Sequence, residues 1–311
     1  MTSRANNLPA ALLSSLPDGA LSHSVFKTMS ETEAELERFT WLGDELALAI
    51  WRRNTPVAET SYNQPGHHTL SYYLNGGHRT ERMTMPGVYG APKRLCTLPD
   101  WHESSWTVRG QMHFLHIYFL PQHFTRRAVV ELDREPRELT LADRTYFEHE
   151  RIGQLCAALA EMPWDGPDAQ LRANEVTHET LSHLLLAQSA PLQQARVRGG
   201  LAPVVRRRLA DYIEAHLGKD ITLGMLAELA CLSEYHLVRM FKVSFGMPPS
   251  AWIAARRIER ACVLLKTTDQ PLQQIADACG YADLSHFSHR FRAALGAPPS
   301  RYRSILGVIP A

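Results

Sequence analysis

The chain has 311 residues, 45% of them hydrophobic and 21% charged, with a formal net charge of +1. That length suggests two domains, and the composition excludes disordered and collagen-like classes. No window approaches the roughly 18 apolar residues of a membrane span. The five cysteines, Cys96, Cys156, Cys231, Cys262 and Cys279, are odd in number and never spaced as a CxxC pair, so they read as reduced thiols of a cytoplasmic protein rather than a disulfide framework.

Residues 1–20, MTSRANNLPAALLSSLPDGA, contain only short apolar runs broken by Pro9 and Pro17, which predicts a loose segment and no signal peptide. From about 45 to 120 the texture is β. The runs LALAIWRR, HTLSYYLNGG and HFLHIYFL are short and rich in β-branched or aromatic residues, and Gly and Pro punctuate them at 65–66, 76–77, 86–87 and 90–92. Several short strands between such breaks predict a sandwich or small barrel. From about 140 the pattern turns helical. YFEHERIGQLCAALAEM sets Ile152, Leu155, Cys156, Leu159 and Met162 on one face, with Pro163 and Gly166 ending that helix. A second helix, LRANEVTHETLSHLLLAQS, carries Leu181, Leu184, Leu185 and Leu186 near its end. That leucine face offers a homodimer seam, but it is shorter than three heptads, so packing against the β domain competes equally. Pro191, Gly199 and Gly200 mark a linker over 191–202.

Helices resume at Pro203. From 201 to the end there are 14 Lys and Arg against 9 Asp and Glu, so the basic charge sits in this part and the preceding 200 residues are mildly acidic. Such asymmetry suits a nucleic-acid module joined to something else. Residues 226–252, LAELACLSEYHLVRMFKVSFGMPPSAW, and 275–302, IADACGYADLSHFSHRFRAALGAPPSRY, are two copies of one pattern. Ala227 matches Ala276, and then, one inserted residue later, Leu237 matches Phe287, Phe241 matches Phe291 and Gly246 matches Gly296. Each copy reads as helix, tight turn, helix, the shape of a major-groove reader. Thr222 caps the helix over 223–230, and Ser233 caps the next, over 234–245. Pro271 suits the first turn of a helix, Gly280 supplies a left-handed turn residue, and Asp283 caps the final reading helix. The two units are therefore expected at about 223–245 and 271–295. The stretch PSAWIAARRIERACVLLKT between them reads as one long helix. Two heads on one face of B-DNA should lie about one helical turn apart, roughly 34 Å or 10 bp.

Residues 203–303 resemble the AraC/XylS family of bacterial transcription regulators. The resemblance rests on Ser233, Leu237, Arg239, Phe241, Lys242 and Gly246, on Arg257-Ile258 with Ala261 and Leu264-Leu265, and on Ile275-Ala276, Gly280-Tyr281, Asp283, Ser285, Phe287, Phe291, Gly296, Pro299 and Tyr302-Arg303. It implies base readout from Tyr235, Val238 and Arg239 in the first unit and from Ser285, His286 and His289 in the second, with Lys242 and Arg290 on the same outer faces. Two positions depart from the pattern. Cys231 stands where a glycine would turn most easily. His289 replaces the arginine of the first copy and lacks the bidentate grip on guanine, so the first unit is expected to carry more specificity.

The same resemblance implies an α+β chain of two domains. Residues 1–190 would form a cupin-like effector-binding and dimerisation domain, a β-barrel or sandwich with two following helices. Residues 203–305 would form an all-α DNA-binding domain with two helix-turn-helix units joined by the long helix. Tyr72, Tyr73, Trp101, Trp106, Tyr118 and Phe119 could line a small-ligand pocket, with Tyr72, Arg79, Trp101 and Tyr118 the candidate effector contacts, although the plainer reading of such aromatics is the β core. Seven of the 15 histidines fall between 67 and 123, which raises a metal site. However, His67-His68 and His113/His116 point to opposite faces of a strand, so no metal and no cofactor are expected. No nucleophile elbow, HExxH or phosphate loop occurs, and the chain is read as a non-enzyme. The expected partners are double-stranded DNA, an unidentified small-molecule effector and RNA polymerase, with no membrane. Three rivals stand beside this reading: a cupin-like metal-dependent enzyme with an appended DNA-binding domain, a ligand-independent architectural DNA-binding protein, and a helical protein-interaction module.

Overall fold

On β6 (Glu103–Phe119), the even-numbered residues Trp106, Val108, Met112, Phe114, His116 and Tyr118 are all buried. Successive strand residues face opposite sides, so this parity draws the inner surface of the N-terminal sheet. The structure is a computed structural model that describes residues 34–42, 46–191 and 199–307, together with Val25, Thr28, Met29 and Thr32. The expected loose segment at 1–20 and most of the expected linker lie outside the described residues.

Seven strands make one antiparallel sheet in the order β1 (Ala34–Trp41), β2 (Ala47–Asn63), β6, β3 (His68–Gly76), β5 (Leu95–Leu98), β8 (Arg144–Phe147), with β4 (Glu81–Arg82) also paired to β6. β2 and β6 run together from Ala47 opposite Tyr118 to Asn63 opposite Glu103. Their register slips between Thr55 and Ala58, across from Gly110, whose φ is +75°. A bulge there bends both long strands and raises their twist. β6 then changes partner on its other edge, meeting β3 over residues 112–119 and β4 at 106–107. The opposite parity, Leu48, Ile50, Leu70, Leu115 and Ile117, is equally buried. α2 (Glu150–Glu161) buries Ile152, Leu155, Cys156 and Leu159, and a Cβ at Gly153 would lie 3.7 Å from the Tyr72 ring. With both sheet faces covered, the strands read as near-continuous apolar runs rather than clean alternation.

Met162 is not on the α2 face as its spacing predicts; it is the C-cap. Arg38 donates to the carbonyls of Ala160 and Met162 at 2.8 and 2.6 Å and stacks 4.1 Å over Trp164. These bonds satisfy carbonyls that the helix end leaves open.

More lies between β6 and residue 190 than two helices. α1 (Pro121–Val130) follows β6 directly, and β7 (Leu139–Leu141), β8 and β9 (Ser189–Pro191) are additional strands, β7 pairing with β9. α3 (Pro167–Gln188) is the second expected helix. Close contacts divide the chain into two compact units. Among the described residues, the sheet unit comprises those up to Pro121 with Leu141–Trp164 and Val176–Ala190, and the helical unit comprises Gln122–Thr140, Asp165–Glu175 and those from Pro191 onward. The helical unit thus includes two stretches that precede residue 191. Its remaining helices are α4 (Pro203–Ala215), α5 (Leu223–Ala230), α6 (Glu234–Phe245), α7 (Pro249–Thr267), α8 (Leu272–Ala278), α9 (Leu284–Leu295) and α10 (Pro299–Leu306). No described helix is long and apolar enough to cross a membrane.

Candidate nucleic-acid interface

α5 and α6 form the first helix-turn-helix. Thr222 accepts from the Met225 amide and Ser233 from the His236 amide at 3.3 Å, so both helices start at side-chain caps. Between them Cys231 is held left-handed at φ +54°. In the second unit Gly280 takes that role at φ +75°, and Asp283 caps α9 by accepting from His286 at 2.7 Å. Pro271 is the N-cap of α8 rather than a residue of its first turn. The repeat extends to the core. Leu237, Phe241 and Phe245 of α6 are fully buried, with Phe245 4.8 Å from the Trp252 ring. Phe287 and Phe291 of α9 are fully buried, with Phe291 5.3 Å from the Tyr302 ring.

Burial of one stripe defines the other. On α6, Tyr235, Arg239 and Lys242 are exposed and Val238 is half-buried; on α9, Ser285, His286, His289 and Arg290 are exposed. Tyr235 leaves 83% of its surface in solvent, which no packing demand explains. Among the described residues, Arg239, Lys242 and Arg290 have no carboxylate partner. Some other cations of the unit are tied down, Arg256 to Glu214 and Glu259, Lys266 to Glu175 and Arg301 to Asp168. Arg208, Lys219, Arg260 and Arg292 share the lack of a carboxylate partner among the described residues, so exposure beside a buried stripe, not pairing alone, marks the two faces. The two outer faces therefore offer uncommitted positive charge, aromatic surface and hydrogen-bond donors at capped helix starts, which is the chemistry of groove and phosphate contact.

In the sheet unit, a cavity of about 40 Å³ is lined by Arg53, Thr60, Tyr62, Ser71, Tyr73, Trp106, Met112, Phe114 and His116, among others. Of the four candidate effector residues none lines it. Tyr72 has the opposite parity and lies beside α2, Trp101 is 46% exposed in a turn, and Arg79 is exposed. Tyr118 is buried behind the wall, its hydroxyl 3.0 Å from the Trp51 indole and 2.9 Å from His116 Nδ1. The wall could have been found by extending the inward parity from Trp51 to Arg53 along β2. Burial, with the nearby His67, pushes His116 down to about 3, so the ring is neutral.

His68 and His102 serve the fold. His68 Nδ1 accepts from the Asp100 amide at 2.9 Å. His102 sits 3.0 Å from Asp143, whose carboxylate Arg82 grips with both terminal nitrogens at 2.8 and 2.9 Å. Burial alone would raise Asp143, but the hydrogen bonds from His102 and Arg82 hold it below its usual range. Among the described residues no three His, Cys, Asp or Glu side chains are grouped as a metal site requires.

Residues 226–305 match the family described as a helix-turn-helix domain. The chain is similar to the probable transcriptional regulator LumQ of Photobacterium leiognathi, with 34% identity over 93 residues, 30% of this chain and 38% of that protein. It is also similar to the arabinose operon regulatory protein of Salmonella typhimurium, with 31% identity over 130 residues, 40% of this chain and 46% of that protein. Among solved structures it is similar to the C-terminal domain of AraT, a response regulator from Geobacillus stearothermophilus, with 34% identity, 35% of this chain and 90% of that chain covered, and a TM-score of 0.33. The chain spans between about a third and about a half of the length of the curated relatives it matches.

Proposed function

We propose that the chain is a sequence-specific transcription regulator of the AraC type that binds double-stranded DNA through two reading helices, a reading supported by the match of residues 226–305 to a helix-turn-helix domain. The observation that carries this is the duplicated outer face, with Tyr235 and Arg239 on α6 and His286 and His289 on α9 exposed above fully buried stripes. Arg239 grips a guanine edge; Tyr235, Val238, Ser285, His286 and His289 add base contacts, and Lys242 and Arg290 neutralise phosphates. The reader domain spans 203–305. The chain is a regulator and not an enzyme.

Replacing Arg239 by Ala should weaken specific binding by about 1–3 kcal/mol and relax discrimination at one base pair. Fluorescence anisotropy on matched and mutated duplexes measures this, and unchanged discrimination removes Arg239 from the interface. Log affinity should also fall steeply and linearly with log salt.

The sheet unit is the sensor in this proposal, a cupin-like domain that takes a small effector. Support comes from the cavity, where Arg53, Thr60, Ser71 and His116 set polar groups among aromatic walls. A single water needs roughly 10–15 Å³, so a larger effector must open the site, and the opened state is what binding would favour. Ser71→Leu, which fills the cavity, should abolish any metabolite's effect on DNA affinity while leaving affinity without metabolite unchanged.

A further inference from the structure

The two readers rest on separate cores. One joins Leu209, Ile213, Leu226, Leu237, Phe241 and Trp252; the other joins Ile258, Ala261, Leu265, Ile275, Phe287 and Phe291. They share no buried residue, and α7 serves both, giving Trp252 and Ile253 to the first and Ile258, Ala261 and Leu265 to the second. Apolar packing therefore holds each reader together without fixing one against the other. The connecting helix has no internal Pro or Gly to kink it, so gentle curvature is the freedom left to it.

A polar seam closes that freedom. Just beyond α4, the chain at 217–219 lies against the turn of the second reader at 278–281. A Cβ at Gly218 would fall 2.7 Å from the Ala278 carbonyl oxygen. Across the seam, a Cβ at Gly280 would strike the Leu217 carbonyl oxygen and lie 2.7 Å from an Arg257 terminal nitrogen. Arg257, in the middle of α7, donates from Nε to the Leu217 carbonyl at 3.0 Å and from Nη2 to the Lys219 carbonyl at 2.7 Å. Its guanidinium carbon lies 6.0 Å from the Tyr281 ring centre. One side chain thus touches the end of the first half, the connecting helix and the turn that launches α9.

We propose that Arg257 is a positioning residue that sets the separation of the two reading helices, by clamping the 217–219 backbone to the Gly280-Tyr281 turn. This rests on the DNA-binding reading above. The role needs the planar fork: a lysine keeps the charge but offers a point donor and cannot hold two carbonyls in fixed directions.

The test is selection from a random-sequence duplex library with the full chain, comparing wild type, Arg257→Lys and Gly218→Ala, the last of which leaves Arg257 intact. The wild type should enrich two sequence elements at one fixed separation. Both variants should enrich the same elements over a spread of separations. Their affinity for the wild-type's preferred duplex should fall about 10-fold, because the second contact loses effective concentration, while affinity for a duplex with one element stays unchanged. The proposal is overturned if Arg257→Lys keeps the single separation, or if it loses as much affinity for one element as for two, since Arg257 would then be a plain DNA contact or a fold support. A wild type that enriches no sequence refutes the DNA-binding reading itself, a result distinct from either.

Discussion

Removing the side chain at the turn of one reader and adding one at the equivalent turn of the other should have opposite effects on stability. Cys231 and Gly280 occupy the same turn at φ +54° and +75°. A left-handed residue with a Cβ costs about 1–2 kcal/mol, so Cys231→Gly should stabilise the helical unit by about 1 kcal/mol. Gly280→Ala adds that strain and a collision with the Leu217 carbonyl and Arg257, and should destabilise it by about 2–3 kcal/mol. Urea unfolding followed by helical circular dichroism reads both; equal effects of the same sign would refute the account of the turn. His116 carries a pH prediction. Its folded value of about 3 lies below the ordinary 6.5, so below that ordinary value the unfolded chain binds an extra proton. Stability should therefore be full above about pH 6.5 and fall as pH drops toward 3, by about 1.4 kcal/mol per pH unit at the steepest. His116→Gln should flatten that slope, and an unchanged slope would locate the effect elsewhere. The turn residues could be read from sequence because αL geometry has a local signature in Gly. The neutrality of His116 could not, since it depends on strands that meet only in the fold.

At the level of elements, the repeat announced itself because caps, turns and the 3.6 period are local. Thr222, Ser233 and Asp283 start helices where their side chains suit that task. α1 gave no such warning. It follows a 17-residue strand and has no acidic first turn, and its partners are far along the chain. Val129 joins the first reader's core, and Arg126 pairs with Glu259 at 2.9 Å. The loop after α1 places Asp133 and Glu135 3.6 and 3.8 Å from Arg206, whose side chain is only 3% exposed. Pairings over such separations leave no periodic trace. They do make a prediction: Glu135→Ala strips a buried arginine of one partner and should destabilise the helical unit by about 3 kcal/mol, read as a shift in the urea midpoint. A change under about 0.5 kcal/mol, the usual range for a surface site, would show that Asp133 alone suffices.

For the whole molecule, the sheet-rich first part and helical second part could be read from texture alone, since short β-branched and aromatic runs between Gly and Pro breaks differ from apolar spacing at 3.6. The cavity wall was legible only in part: aromatic content pointed to Tyr73 and Trp106 along with Tyr72, Trp101, Tyr118 and Phe119, and it is parity along the strands that keeps the first two and adds the polar Ser71. The central claim is that two reading helices meet one duplex together. Hydroxyl-radical footprinting of the full chain on a selected site tests it most directly. Two protected patches on the same face of the DNA, centred about 10 bp apart, are the predicted result; a single patch, or two on opposite faces, would contradict it.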